Sequence, residues 1–410
     1  MNRTASDVPK IDAAAAEGAP FSVRGVNSAL DRRFPGVDSM QAAARRRIPR
    51  FAYDYVAGAI GRDVGLARNR DALDAIAFMP KLLADGADDP DIRCRLLGRE
   101  YSAPFGVAPV GLVGLVWPRA PEIMAAAARR HDIAFALSNF ATADLESIRE
   151  IGGDNAWFQL YPPNQDAIQA SLLRRAHAAG YEVLLVTVDV PMSTRREHDI
   201  RNGLSVPPKV DLATLASIAT RPRWALETLV HGAPRFRTWE PYLPSGASTA
   251  TGARLLGRLM DGHITRDQLK RIRDGWPGRM LVKGILDPEE ARDCIALGAD
   301  GLVVSNHGAR QLDAAPSSVE CLPAIRAAVG PEVTLVADSG ARSGLDIARM
   351  LAMGADHVLL GRAFCFSLGA LGERGPAHLV TVLKAELRGA LAQMGCPSID
   401  RLPEFLLRGG

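Results

Sequence analysis

From residue 105 onward, short runs of apolar residues recur along the chain, each followed by a stretch with helical marks. The runs are FGVAP (105–109), IAFALS (133–138), WFQLY (157–161), VLLVTVD (183–189), MLVKG (280–284), GLVVS (301–305), TLVAD (334–338) and HVLLG (357–361). Their apolar positions are continuous rather than alternating, which suits strands buried on both faces, as in a parallel sheet. Between them, TADLE (142–146) supplies an N-cap with acids in the first turn, and DPEE (287–290) places a proline at the first helical position with acids behind it. Gly298 and Gly354 stop helices just before the next strand. Eight strand-helix units predict an α/β fold of the (β/α)8 TIM-barrel type, for which ~250 residues suffice. A doubly wound sheet fits less well, because no G-x-G-x-x-G opens a helix after the first strand.

The rhythm breaks once, between Asp189 and Met280, after the fourth strand. So long an excursion predicts an insertion or lid, placed at 205–265. Its stretch RPRWALETLVHGAPRFRTW (221–239) mixes basic and aromatic residues. It reads either as an amphipathic helix capping the barrel or as a membrane-surface contact through Arg221, Arg223, Trp224, Arg235, Phe236, Arg237 and Trp239. Residues 1–36, rich in Ala, Pro and Gly, predict a flexible N-terminal arm, and 37–410 the barrel domain with an N-terminal helical segment.

Composition narrows the function classes. In 410 residues an apolar fraction of 47% supports a large core, and Lys+Arg 49 against Asp+Glu 46 gives no reason to expect a nucleic-acid partner. The five cysteines are scattered without CxxC or zinc spacing, so no metal is expected and a reducing compartment is. Neither a signal-peptide core nor a run of ~20 apolar residues is present, which predicts a cytoplasmic protein.

Barrels do their chemistry at the carboxyl ends of the strands. Ser138, Gln159, Tyr161, Thr187, Asp189, Lys283, Ser305, His307, Asp338, Gly361 and Arg362 all fall there. Any one of them has an ordinary explanation, such as a local backbone bond or a rim lysine. Gathered on one face, they predict a site. Asp189 beside His307 would orient the imidazole as a general base. Arg310 and Arg196 could grip a carboxylate bidentately, although one of Arg195 and Arg196 reads as a surface salt bridge. DSGAR (338–342), with Ser339, Gly340 and Arg342, and LGR (360–362) lie after the last two strands, where barrels commonly bind phosphate. Lys283 would then stand near the ring of a phosphate-bearing redox cofactor.

SNHGARQLD (305–313) resembles the active-site signature of the FMN-dependent α-hydroxy acid dehydrogenase and oxidase family, which includes glycolate oxidase, lactate dehydrogenase and mandelate dehydrogenase. The likeness spans about 46–403, through YDY (53–55), APVG (108–111), FQLY (158–161), TVD (187–189), RREHDIRN (195–202), LVKG (281–284) and DSG (338–340). RPRWALETLVHG, LMDGHIT and MGCPSI are most similar to the mandelate dehydrogenase branch. VAGAIGRD (56–63), WPRAPE (117–122) and NGL (202–204) depart from the family pattern in loops without removing a chemical group.

The resemblance implies an enzyme that oxidises an (S)-2-hydroxy acid, lactate-like or mandelate-like, to the 2-oxo acid. His307 would take the substrate's α-proton, or its hydroxyl proton during hydride transfer, with Asp189 as partner. Arg310, Arg196, Tyr55 and Tyr161 would hold the carboxylate and hydroxyl. Pro109, Val110, Gly111, Ser138, Gln159, Thr187, Lys283 and Ser305 would contact the flavin ring region, Asp338 the ribityl chain, and Ser339, Gly340, Arg342, Gly361 and Arg362 the phosphate side. Phe140 would face an apolar or aryl side chain, and Gly111 points to a dehydrogenase that passes electrons to a quinone, peripherally on a membrane through 205–265. A homotetramer is implied as well. Two other readings stay open: an oxidase that reduces O2 to H2O2, and a non-catalytic barrel that binds a phosphate ligand.

Overall fold

The computed structural model describes residues 29–83, 89–203, 212–246, 249–260 and 262–407. Eight parallel strands close a barrel: β3 (Phe105–Val107), β4 (Ala134–Ser138), β5 (Ala156–Leu160), β6 (Val183–Thr187), β7 (Arg279–Ile285), β8 (Gly301–Val304), β9 (Thr334–Ala337) and β10 (His357–Leu360), with β10 pairing back onto β3. Each predicted apolar run overlaps one of them, with β5 starting one residue before its run and β7 extending one residue past each end. They are buried along most of their lengths, apart from Arg279 and Gly284 in β7 and Thr334 in β9, because one face fills the barrel and the other meets the surrounding helices. A short antiparallel hairpin, β1 (Cys94–Leu96) with β2 (Arg99–Tyr101), precedes the barrel.

Local chemistry explains where the outer helices start. Asp287 caps the helix Pro288–Ala296 by accepting from the N–H groups of Glu289 and Glu290. Asp144, two residues beyond Thr142, caps Leu145–Gly152 through the N–H of Ser147. The helices Val37–Arg47, Arg50–Ala57 and Val64–Asp74 form the expected N-terminal segment. The packed chain starts earlier than the predicted arm boundary: Ala29–Arg33 is helical and Phe34 is buried, its carbonyl accepting from His378 Nε2 at 2.9 Å. The remainder of that arm, 1–28, lies outside the described residues.

The insertion after β6 folds into the helices Leu212–Ala219, Pro222–His231 and Thr249–Leu259 with a 3-10 turn at Arg237–Tyr242. Part of it, at 204–211, 247–248 and 261, lies outside the described residues. Its aromatic residues point inward, which corrects the expectation that they face a membrane. Trp224 is buried and donates from Nε1 to the Leu115 carbonyl at 3.2 Å, while Trp239 is fully buried against Phe140 and Tyr242. Aliphatic residues face outward instead: Leu212, Leu215, Leu226, Leu229 and Val230, with Leu229 82% exposed.

Candidate active site

A cavity of about 390 Å³ opens at the carboxyl ends of the strands. It brings together Tyr55, Pro109, Val110, Gly111, Tyr161, Thr187, Arg196, Lys283, His307, Arg310, Asp338, Ser339, Gly340, Arg342, Gly361 and Arg362. Four predicted residues, Asp189, Ser138, Gln159 and Ser305, do not line it and act on those that do.

His307 sits at the centre. Its Nδ1 meets Asp189 Oδ1 and Oδ2 at 3.0 and 3.1 Å, and its Nε2 meets the Tyr161 hydroxyl at 3.2 Å. Asp189 can stand there because β7 breaks register between Lys283 and Ile285, and Gly284 takes φ +109; a Cβ on Gly284 would lie 2.6 Å from the Asp189 side chain. His307, Gly308 and Ala309 are all left-handed, with φ of 58, 63 and 60. Strain of this kind persists where surroundings over-determine it. Here Ser305 Oγ accepts from His307 N, Ser339 Oγ from Gly308 N, and Asn306 Oδ1 from Ala309 N. At Gly308 a Cβ would also fall 2.6 Å from Arg362 Nη1.

Electrostatics follow from burial and neighbours. Burial pushes the His307 imidazole below the usual histidine value, despite the opposing pull of Asp189, and Lys283 and Arg196 push the same way as burial. Burial opposes ionisation of Asp189, but His307 and Lys283 outweigh it and hold the carboxyl below its ordinary range. Lys283, 4% exposed, pairs with Asp338 Oδ2 at 3.0 Å and donates to Ser305 Oγ at 2.8 Å. Burial alone would lower its ammonium; Asp338 and Asp189 outweigh that and raise it. Burial, then Asp189, raises the Tyr161 phenol, so it stays a proton donor.

The arginines divide. Arg310 Nη1 donates to the carbonyls of Tyr55 and Gly58, which leaves Nε and Nη2 without a bond among the described residues. Arg196 lines the cavity, is tied to the Arg310 carbonyl and to Gln311 Oε1, and lies 3.9 Å from Asp199 Oδ2, so its ion pair stands at the site's edge. Arg342 makes no guanidinium hydrogen bond among the described residues and lies over the Phe366 ring; burial and the Arg70 charge bring it down to about 10. Arg362 lines the cavity and is steadied by three bonds, from Nε, Nη1 and Nη2 to the carbonyls of Val56, Gly308 and Gly58, which leave one N–H on each terminal nitrogen. It also offers an anion backbone N–H, at the start of the helix Arg362–Leu371 beside Gly361. Ser138 accepts from Phe140 N, a local bond, and Tyr55 donates to the Gly111 carbonyl.

The set fits FMN. An unpartnered cavity-lining arginine and a helix start suit a phosphate, and buried Gln159, bonded through Nε2 to Thr187, keeps an Oε1 with no partner. Residues that the sequence did not single out complete the site. Val190, Met192, Met260 and Ile264 line its outer end with Phe140 and Phe236. Arg70 supports the phosphate side by bonding the Gly340 carbonyl and Asp346, whose Oδ2 also accepts from Arg342 N. The SGLD cap at 343–346 could have flagged Asp346, whereas nothing local marks Arg70.

Known proteins resemble this chain along most of its length. The family described as FMN-dependent dehydrogenase matches residues 44–408. The (S)-mandelate dehydrogenase of Pseudomonas putida is 38% identical over 376 residues, covering 91% of this chain and 94% of its own. An L-lactate dehydrogenase of Caulobacter vibrioides is 40% identical over 367 residues, covering 89% and 95%. Among solved structures, one described as the monotopic membrane protein (S)-mandelate dehydrogenase aligns with a TM-score of 0.87 at 37% identity, covering 91% of this chain and 99% of that one. A mandelate oxidase aligns with a TM-score of 0.76 at 31% identity, covering 92% and 100%.

Proposed function

Because the chain belongs to the FMN-dependent dehydrogenase family, we propose that it oxidises an (S)-2-hydroxy acid with an apolar or aryl side chain to the 2-oxo acid and delivers the electrons to a quinone-type acceptor. The observation that carries this is His307, held between Asp189 and Tyr161 in a cavity that also contains Arg196, Arg310 and Lys283. Asp189 accepts the Nδ1 proton, which leaves Nε2 as the base for a proton from the substrate's Cα or hydroxyl. Once protonated, the imidazolium is balanced by Asp189. Arg310, through its free edge, and Arg196 hold the carboxylate, and Tyr161 donates beside it, while the Tyr55 hydroxyl, bonded to the Gly111 carbonyl, lines the same cavity. Arg342, with the backbone at Gly361 and Arg362, would hold the FMN phosphate, while Lys283 supplies fixed positive charge near its ring. The chemistry that FMN supplies when bound is two-electron oxidation of the substrate's C–OH to C=O.

The side-chain preference rests on the outer end of the cavity. Phe140 stands edge-on to Tyr161 and Phe236 at 5.7 and 5.5 Å, and Met192, Met260 and Ile264 complete an apolar wall. Desolvating this wall rewards an aryl group over a methyl. Steady-state turnover of mandelate and lactate, each with a quinone analogue and with O2, tests the proposal. Mandelate should be preferred, with the quinone analogue as the faster acceptor. The similarity to a mandelate oxidase makes O2 the competing acceptor, and peroxide formation at the quinone rate would favour it.

The pH dependence should report the imidazole. The base is its neutral form, and burial lowers its pKa, so kcat/KM should stay level as pH falls through ~6.5 and decline only below that. A fall centred above pH ~7 would remove His307 from this role.

Attachment to a membrane is part of the proposal. No helix among the described residues is long and apolar enough to cross one. Leu226, Leu229 and Val230, at helical spacing, and Leu212 and Leu215 form exposed apolar faces that a bilayer surface would cover. Changing Leu226, Leu229 and Val230 together to Ser should release the protein from sedimenting membranes while mandelate-driven flavin reduction is retained. An unchanged membrane-bound fraction would show that these residues are not the contact.

A further inference from the structure

The helix Glu197–Arg201 follows β6 and is preceded by Arg196, which lines the cavity. None of its residues is buried. Apolar packing therefore does not hold this segment, and its anchorage is polar. Asn202 Nδ2 donates to Asp54 Oδ2 at 2.8 Å, and His198 Nε2 lies 3.1 Å from Asp63 Oδ2. The second contact is the better built. Asp63 is itself fixed, with φ +61 and its Oδ1 accepting from Ala59 N at 2.8 Å.

The His198 ring also occupies the space where a Cβ on Gly58 would be, with Cδ2 2.9 Å from that point. A larger residue at 58 would displace it. The Gly58 carbonyl accepts from Arg310 Nη1 and Arg362 Nη2, so the backbone under the ring is held from two sides. The ring thus seats a polar helix without buried residues on backbone held from two sides, two residues along the chain from Arg196. Asp63 is the acid that ends VAGAIGRD, and it ties that stretch to His198.

We infer that His198, seated on Gly58 and bonded to Asp63, is a positioning residue that latches the segment after β6 and thereby aims Arg196 into the substrate cavity. It touches no reacting atom. Its effect is on carboxylate binding, through Arg196, and it rests on the proposal above that Arg196 grips the substrate.

The test is a double-mutant cycle on FMN-loaded protein, read as the rate of anaerobic flavin bleaching against (S)-mandelate concentration. His198→Ala should raise the half-saturating concentration on the order of tenfold, the scale of one lost hydrogen bond to a charged group, and leave the limiting rate within about twofold. His198→Gln, which keeps a donor for Asp63, should recover most of the loss. In an Arg196→Ala background, His198→Ala should change the half-saturating concentration by less than about twofold, because the pathway through Arg196 is already gone. FMN content and thermal midpoint identify a variant that fails to fold, and Asp63→Asn then breaks the same contact from the other side. Half-saturation unchanged in both His198→Ala and Asp63→Asn, or full additivity with Arg196→Ala, overturns the latch while the proposed reaction stands. Parent protein that mandelate does not bleach overturns both.

Discussion

Replacing His307 with Gln should leave a yellow, FMN-loaded protein whose flavin is reduced by 2-hydroxy acid ~10²–10⁴ times more slowly than in the parent, the usual contribution of a positioned general base. Glutamine can keep a hydrogen bond toward Asp189 but has no basic nitrogen where His307 Nε2 faces Tyr161. Nor should cofactor retention suffer, because the residues that suit the phosphate, Arg342 and the start of the helix Arg362–Leu371, do not depend on the imidazole. Stopped-flow bleaching under anaerobic conditions separates this step from reoxidation. A variant that bleaches at the parent rate would show that another group removes the proton.

Replacing Lys283 with Met should be the most destabilising single change in the site. The ammonium is buried against Asp338 at 3.0 Å and also supports Asp189 electrostatically. Removing one partner of a buried pair strands the other, at a cost of ~3–5 kcal/mol. Asp338 is 7% exposed, and its carboxylate is otherwise bonded among the described residues only to the Ser339 hydroxyl, which donates to Oδ1, so no second cation compensates. The chemical-denaturation midpoint should fall accordingly, and FMN should wash out on gel filtration. Lys283→Met/Asp338→Asn should regain part of the midpoint without regaining flavin reduction, since the stranded charge is relieved but the fixed cation is not restored. A Lys283→Met protein with the parent midpoint and full FMN content would remove the ion pair from the account.

The barrel was legible because each strand is apolar on both faces and each quoted cap has a local cause, as at Asp287. The meeting of His307, Asp189, Lys283 and Asp338 was legible for a related reason: residues at the carboxyl ends of parallel strands converge whatever the intervening loops do. Direction was harder to read. Periodicity finds the helix Pro222–His231 but does not say which side faces the body, and Trp224 went inward while Leu229 stayed outside. The place of Arg362 in the chain predicts a phosphate ligand but not what steadies its side chain. Its guanidinium is captured by carbonyls at 56, 58 and 308, which depends on how the helix Arg50–Ala57 packs over the barrel mouth. The bond between His198 and Asp63 spans 135 positions and leaves no local mark at all.

On the proposed reaction, His307 takes a proton from a bound 2-hydroxy acid in this cavity, and bound FMN would supply the oxidising power. Anaerobic titration of the FMN-loaded protein with (S)-mandelate, followed at the flavin absorbance and by assay of the acid product, tests it most directly. Complete bleaching with one 2-oxo acid formed per flavin is the predicted result. Flavin that stays oxidised with mandelate, lactate and longer 2-hydroxy acids alike would contradict it.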